Sequence, residues 1–169
     1  GGTNKLNLHN LPRVDPDNPQ PSDSLRRAII APKDHVLVVV DSAQIEARIN
    51  AWLAGQNDLL EQFRLKKDPY CKMASDIYKR PITKADKLER FIGKVAILGL
   101  GYGMGAKKFQ TTLALGTIGP AVEMELASCH TIVNLYRSTN IQIVRCWEKG
   151  TTVLRRMSTG DKGKFMKRY

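Results

Sequence analysis

The sequence predicts an α+β chain, mostly helical, in which a few antiparallel strands near the start give way to helices. Three observations carry that expectation. Val36-Leu37-Val38-Val39-Val40 is an unbroken, largely β-branched apolar run, the pattern of a buried strand. From Gln44 onward the apolar residues recur at helical spacing instead. No internal repeat points to a solenoid or another repeating architecture.

Taken in order, residues 1–24 are polar and proline-rich (Pro12, Pro16, Pro19, Pro21), which predicts loop or extended chain. Leu25–Ile30, apolar after its two arginines, is predicted as a first strand, Ala31-Pro32-Lys33-Asp34 as a turn, and Val36–Val40 as a second strand. Between Gln44 and about Ala54, Ile45, Ile49, Trp52 and Leu53 lie on one helical face, and Gly55 ends that helix. Asp58 to about Arg64 reads as a short helix with Leu59, Leu60 and Phe63 inward. Asp68-Pro69 combines an N-cap with proline at the first helical position, starting a helix that runs to about Tyr78. Thr83 is expected to cap a longer helix with Asp86 in its first turn, passing through Lys87, Arg90, Lys94 and Leu98 to the glycine run 99–105. Helical patterns follow at about 106–115, 120–137 and 141–157, and the last dozen residues are basic.

With 169 residues, the chain is long enough for one domain with a core, or for parts of two. Apolar residues make up 42%, but no run is long enough to span a bilayer. The chain begins Gly1-Gly2-Thr3-Asn4-Lys5, without a secretory signal, as expected of a piece of a longer chain. Lys and Arg number 27 against 16 Asp and Glu, a net charge of +11. Such an excess favours a polyanionic partner through long-range attraction and counterion release, although a solvated basic surface would carry the same charge. Cys71, Cys129 and Cys146 are odd in number, widely spaced and without a C-x-x-C, as expected of reduced cytoplasmic thiols. His9, His35 and His130 form no ligand pair.

Two constellations carry chemistry. Asp41 closes the apolar run, where a sheet edge can hold a carboxylate rigidly enough for a two-metal site; it could equally cap the following helix. Gln44, Glu46 and Arg48 follow it closely. Arg90, Lys94, Leu98 and Tyr102 are each four residues after the last and form a nearly straight stripe on a helix: two cations, an apolar residue, an aromatic ring. Such a face can grip a polyphosphate at one end and stack on a nucleoside at the other. Neighbouring cations repel by a few tenths of a kcal/mol unless an anion lies between them, so the pair is either simply exposed or built for phosphate. Gly93 between them gives up about 1 kcal/mol of helix stability relative to alanine, which a close approach by substrate or by another helix would explain. The run 99–105 is G-x-G-x-G-x-G after a helix, neither a dinucleotide fingerprint nor a Walker loop.

These residues resemble the DNA polymerase I-like (family A) DNA polymerases, phage-type members above all. Asp41-Ser42-Ala43-Gln44-Ile45-Glu46-Ala47-Arg48 resembles motif A, D-Y-S-Q-I-E-x-R. Arg90-x-x-x-Lys94-x-x-x-Leu98-x-x-x-Tyr102-Gly103 resembles motif B on the O helix, R-x-x-x-K-x-x-x-F/Y-x-x-x-Y-G. Asn7-Leu8-His9-Asn10-Leu11-Pro12-Arg13 is similar to the segment N-x-Q-N-I/L-P-R before motif A, and Asp68-Pro69-Tyr70 and Trp147 match helix landmarks. The resemblance implies a partial palm at 1–50 and a helical fingers subdomain at 51–169. It implies that Asp41 binds two Mg²⁺ ions and that Glu46, beside Gln44, is a steric gate against a 2′-hydroxyl. Arg90 and Lys94 would hold the triphosphate, Leu98 would lie against base and sugar, and Tyr102 would stack near the template base. The implied reaction is attack of a primer 3′-hydroxyl on the α-phosphate of a deoxynucleoside triphosphate. Its partners are DNA primer–template and deoxynucleoside triphosphates, with no membrane. The full-length enzyme would be a monomer in the cytoplasm of a bacterial host if phage-encoded.

The departures are specific. Leu98 stands where many relatives have Phe or Tyr, Ser42-Ala43 replaces Tyr-Ser, and Tyr70 replaces a histidine of some relatives. His-Asp-Glu, the family's motif C, occurs nowhere in the 169 residues, and the Thr-Gly-Arg expected ahead of Gly1 is absent too. An internal fragment of palm and fingers, inactive by itself, is therefore expected. A single-subunit RNA polymerase shares the R-x-x-x-K helix, but Gln44-Ile45-Glu46 suits deoxynucleotides. A nucleotide- or DNA-binding remnant without catalysis accounts for the charge and leaves Asp41 without a role.

Overall fold

The computed structural model describes residues 23–116 and 119–160. The chain forms two compact units, Gly1–Ser42 and Ala43–Tyr169. The expected loop over 1–24, the Asn7–Arg13 segment and the basic C-terminal end lie wholly or mostly outside the described residues.

In the first unit the strand expectation fails. Leu25 lies in a one-turn helix, α1 (Asp23–Arg27), closed by the Ala28 amide donating to the Ser24 carbonyl. Ala31–Asp34 turns as expected, with the His35 amide donating to the Pro32 carbonyl. Val36–Val40 forms no ladder, and its side chains are 58–85% exposed. A strand needs a partner to take its amides and carbonyls, and no strand exists among the described residues. The described structure is therefore helical.

The second unit follows the predicted helix sequence closely: α2 (Ile45–Ala54), α3 (Asn57–Arg64) and α4 (Pro69–Tyr78). Gly55 ends α2 in the left-handed conformation, with φ of 73°. Asp68 caps α4 through its carboxylate, which accepts from the Tyr70 and Cys71 amides. Next comes α5 (Lys87–Val95), which starts later than expected. Thr83 opens a tight turn instead, and Asp86 becomes the N-cap residue. Its carboxylate faces backward, accepting from the Thr83 amide and hydroxyl and pairing with Arg80. These bonds hold the Asp86 pKa down at about 2, the Thr83 amide contributing most.

α5 continues without a break into a π-helical turn, Ala96–Leu100. It is followed by α6 (Ala106–Ala114), α7 (Leu126–Thr139) and α8 (Ile141–Ser158). α7 begins at Leu126 and not near 120. The segment before it packs back along α6, with the Val122 amide donating to the Leu113 carbonyl and Gln110 to the Met124 carbonyl. Phe109 and Leu113 from α6, Tyr136 and Cys129 from α7, Ile143 from α8, and Ile92, Val95 and Leu100 form the core. Buried Gln56 ties the start of α3 to the α7–α8 junction, donating to the Thr139 carbonyl and accepting from the Gln142 amide.

The closest helix contact runs between α4 and α5. A Cβ on Gly93 would lie 2.2 Å from the Tyr70 carbonyl oxygen and 3.0 Å from the Ala74 nitrogen. Of the two explanations for that glycine, close approach of another helix is the one realised.

Candidate functional site

Asp41 belongs to the first unit, where it follows Val40 with its side chain exposed. Among the described residues no three His, Cys, Asp or Glu side chains converge as a metal cage. Mg²⁺ is commonly held by one or two protein carboxylates together with substrate phosphates and waters, so an exposed Asp41 fits as one such ligand.

The remaining candidates lie in the second unit, where α2, α4 and the α5–π segment bring most of them together. Gln44 precedes α2 with φ of 57°, a left-handed conformation uncommon for a residue with a Cβ. Arg48 fixes that entry from one turn later, its Nε donating to the Ala43 carbonyl at 2.9 Å and its guanidinium lying 4.4 Å over the Phe63 ring. Gln44 reaches the Tyr70 hydroxyl. Burial first, and then the charge of Asp68, raise the Tyr70 pKa, while Arg90 and Gln44 moderate the rise.

Arg90 is already engaged. Its Nε and Nη2 both meet Asp68 Oδ2, at 2.8 and 2.7 Å, and its guanidinium lies 5.4 Å from the Tyr70 ring centroid. Burial disfavours the Asp68 anion, yet the Arg90 guanidinium and the Cys71 and Tyr70 amides outweigh it, leaving the pKa below the ordinary carboxylate value. The repulsion expected between Arg90 and Lys94 is thereby relieved from within the protein. Lys94, one turn on and half-buried, has no anionic partner among the described residues.

The stripe then crosses the π-helical turn. In an unbroken α-helix each four-residue step drifts about 40° around the axis. The wider turn at Ala96–Leu100 offsets that drift and changes how Tyr102 leaves the helix. Leu98 is half-buried and packs against the core. Tyr102 is 69% exposed, and Gly103 turns the chain with φ of 77°. Burial and then the Glu46 carboxylate, within reach of the hydroxyl, raise the Tyr102 pKa. Glu46 and Tyr102 thus face one another across an apolar cleft of about 270 Å³ between α2 and the end of the π turn.

Of the residues singled out from the sequence, Glu46 lies on α2 with Gln44 just ahead of it, Arg90 and Lys94 lie on α5, Leu98 lies in the π turn, and Tyr102 lies in the turn that follows. Sequence reasoning missed Asp68 as the partner of Arg90, reading it only as a cap. No local sequence pattern marks Asp68 as that partner, which lies 22 residues away along the chain. The π turn left no signal in the polar–apolar pattern.

Comparison with known proteins gives a consistent result. The family described as "DNA polymerase family A" matches residues 3–158. Thermostable DNA polymerase I of Thermus aquaticus is 34% identical over 109 residues, 64% of this chain and 13% of that protein. The DNA polymerase of Bacillus phage SP02 is 37% identical over 131 residues, 75% of this chain and 19% of that one. DNA polymerase I of Synechocystis is 36% identical over 98 residues, 57% of this chain and 10% of its own length. The chain thus spans between a tenth and a fifth of these relatives. No solved structure matches it.

Proposed function

The chain belongs to DNA polymerase family A, and on that premise we propose that it supplies the incoming-nucleotide side of a template-directed DNA polymerase. Its substrates on this reading are deoxynucleoside triphosphates, selected on a DNA primer–template. The observation that carries it is Lys94: a half-buried lysine without an anionic partner among the described residues, one turn beyond an arginine held by Asp68. A cation placed this way is completed by an anionic ligand, and two cations one turn apart suit a polyphosphate.

Arg90 and Lys94 take the triphosphate, and the charge already shared between Arg90 and Asp68 leaves Lys94 the stronger attractor. Leu98 and Tyr102 meet the base and sugar. Glu46, facing Tyr102, fills the space that a 2′-hydroxyl would need. Asp41 contributes one carboxylate toward Mg²⁺, which when bound stabilises the attacking and leaving oxygens of the displacement. Since His-Asp-Glu is absent from these 169 residues, the proposal assigns this chain nucleotide binding and not turnover on its own.

Titrating dATP into the chain by calorimetry tests the reading. Lys94→Ala should weaken binding about tenfold, the scale of one charge-assisted hydrogen bond. Equal affinity for the two proteins would overturn it.

A further inference from the structure

The face of α2 that carries Glu46 presents a second polar group one turn later. Asn50 Nδ2 donates to the Gly101 carbonyl at 2.9 Å, in a partly buried contact 51 residues apart in sequence. That carbonyl belongs to the peptide leading directly into Tyr102. It lies at the C-terminal end of the α5–π segment, where carbonyls run out of intrahelical donors. The Tyr102 and Gly103 amides close the last turn onto the Gly99 and Leu100 carbonyls. Gly101 is buried, and a Cβ there would stand 3.1 Å from Asn50 Nδ2 and 3.4 Å from the Tyr136 hydroxyl. The glycine therefore lets α2 reach the backbone. Tyr102 is thus approached from one helix face at two points: Asn50 bonds the carbonyl leading into it, and the Glu46 carboxylate lies close enough to its hydroxyl to act on its charge, with Ile49 and Leu53 lining the cleft between.

We propose that Asn50 is a positioning residue for nucleotide selection, fixing the spacing between the Tyr102 ring and Glu46 that separates deoxyribose from ribose. The inference rests on the reading of Glu46 and Tyr102 given above. A plain cap on the Gly101 carbonyl would contribute stability only; a positioning residue also changes what Tyr102 experiences.

The test uses the 169-residue chain labelled with 3-fluorotyrosine, the Tyr102 ¹⁹F resonance being assigned by its loss in Tyr102→Phe. In the parent protein the Tyr102 hydroxyl should titrate above the ordinary tyrosine value, and Glu46→Gln should lower its midpoint. Asn50→Leu should lower it comparably, with Asn50→Ser doing the same if the leucine variant does not fold, and Asn50→Gln, which keeps a donor, should restore part of the shift. In titrations of dATP and ATP against the same resonance, Asn50→Leu should reduce the preference for dATP about fivefold, the worth of one neutral hydrogen bond. A midpoint that responds to Glu46→Gln but not to loss of Asn50, or an unchanged dATP preference, would overturn the proposal. Failure of the nucleotide reading itself shows differently: neither nucleotide moves the parent resonance, and the midpoints alone then judge Asn50.

Discussion

The two ends of the Arg90–Tyr102 stripe are built in opposite ways. At the Arg90 end two helices touch backbone to backbone through Gly93, and the guanidinium is fixed by Asp68 and the Tyr70 ring. At the Tyr102 end the helix widens into a π turn, the chain leaves through Gly103, and the ring stands exposed. A site that must hold a constant group and sample a variable one gains from such a division. On the proposed reading, the triphosphate common to every nucleotide would be met by fixed charge at the Arg90 end, and the variable base and sugar by the exposed ring at the other.

The largest expected effect attacks the rigid end. Gly93→Ala would place a Cβ 2.2 Å from the Tyr70 carbonyl oxygen, so α4 and α5 must part. Urea unfolding should show a loss of about 3 kcal/mol, since overpacking outweighs the gain in helix propensity. A loss below about 1 kcal/mol would mean that α4 yields readily and that the contrast between the two ends is wrong.

That glycine also shows how much the sequence disclosed. Its cost in helix propensity was legible, and with it the need for a close approach, but not which neighbour approached. Helices were legible because burial writes a 3.6-residue period into the chain, and the motif residues followed from their spacing. Val36–Val40 was misread because an apolar run records a preference for burial, while a strand also requires a partner. Thr83 was misread because capping depends on where a carboxylate points, and Asp86 pairs with Arg80 and Thr83. The Arg90–Asp68 pair spans 22 residues, beyond the reach of any local pattern.

Asp68 supports the second comparison, between its cap and its ion pair. Asp68→Ala removes both and should cost about 2 kcal/mol, whereas Asp68→Asn keeps a capping oxygen and should cost less. Because the folded-state pKa of Asp68 is depressed, its charge stabilises the fold at pH values above the unfolded value of 3.8, and that contribution is lost as pH falls through the folded value. The stability gap between parent and Asp68→Asn should therefore close as the pH falls from above the unfolded value of 3.8 through the depressed folded value. Asp86, whose pKa is held at about 2, is present in both proteins and drops out of the difference. A gap that stays constant with pH would show that the ion pair contributes nothing beyond the cap.

The smallest expected effect lies at the loose end and arises for a different physical reason. Gly103 has φ of 77°, and a Cβ there would meet nothing within 4 Å. Gly103→Ala therefore creates no collision and carries only the left-handed backbone penalty, about 1 kcal/mol. The strain has an outlet that Gly93→Ala lacks: the chain can rotate about the π turn and carry Tyr102 away from Glu46. Thermal unfolding should register a modest loss, while the Tyr102 ¹⁹F resonance should shift as the ring leaves the carboxylate. A Gly103→Ala protein with lowered stability and an unmoved Tyr102 resonance would show that Asn50 and Glu46 hold the ring harder than the exit turn does, so that the stripe is rigid at both ends.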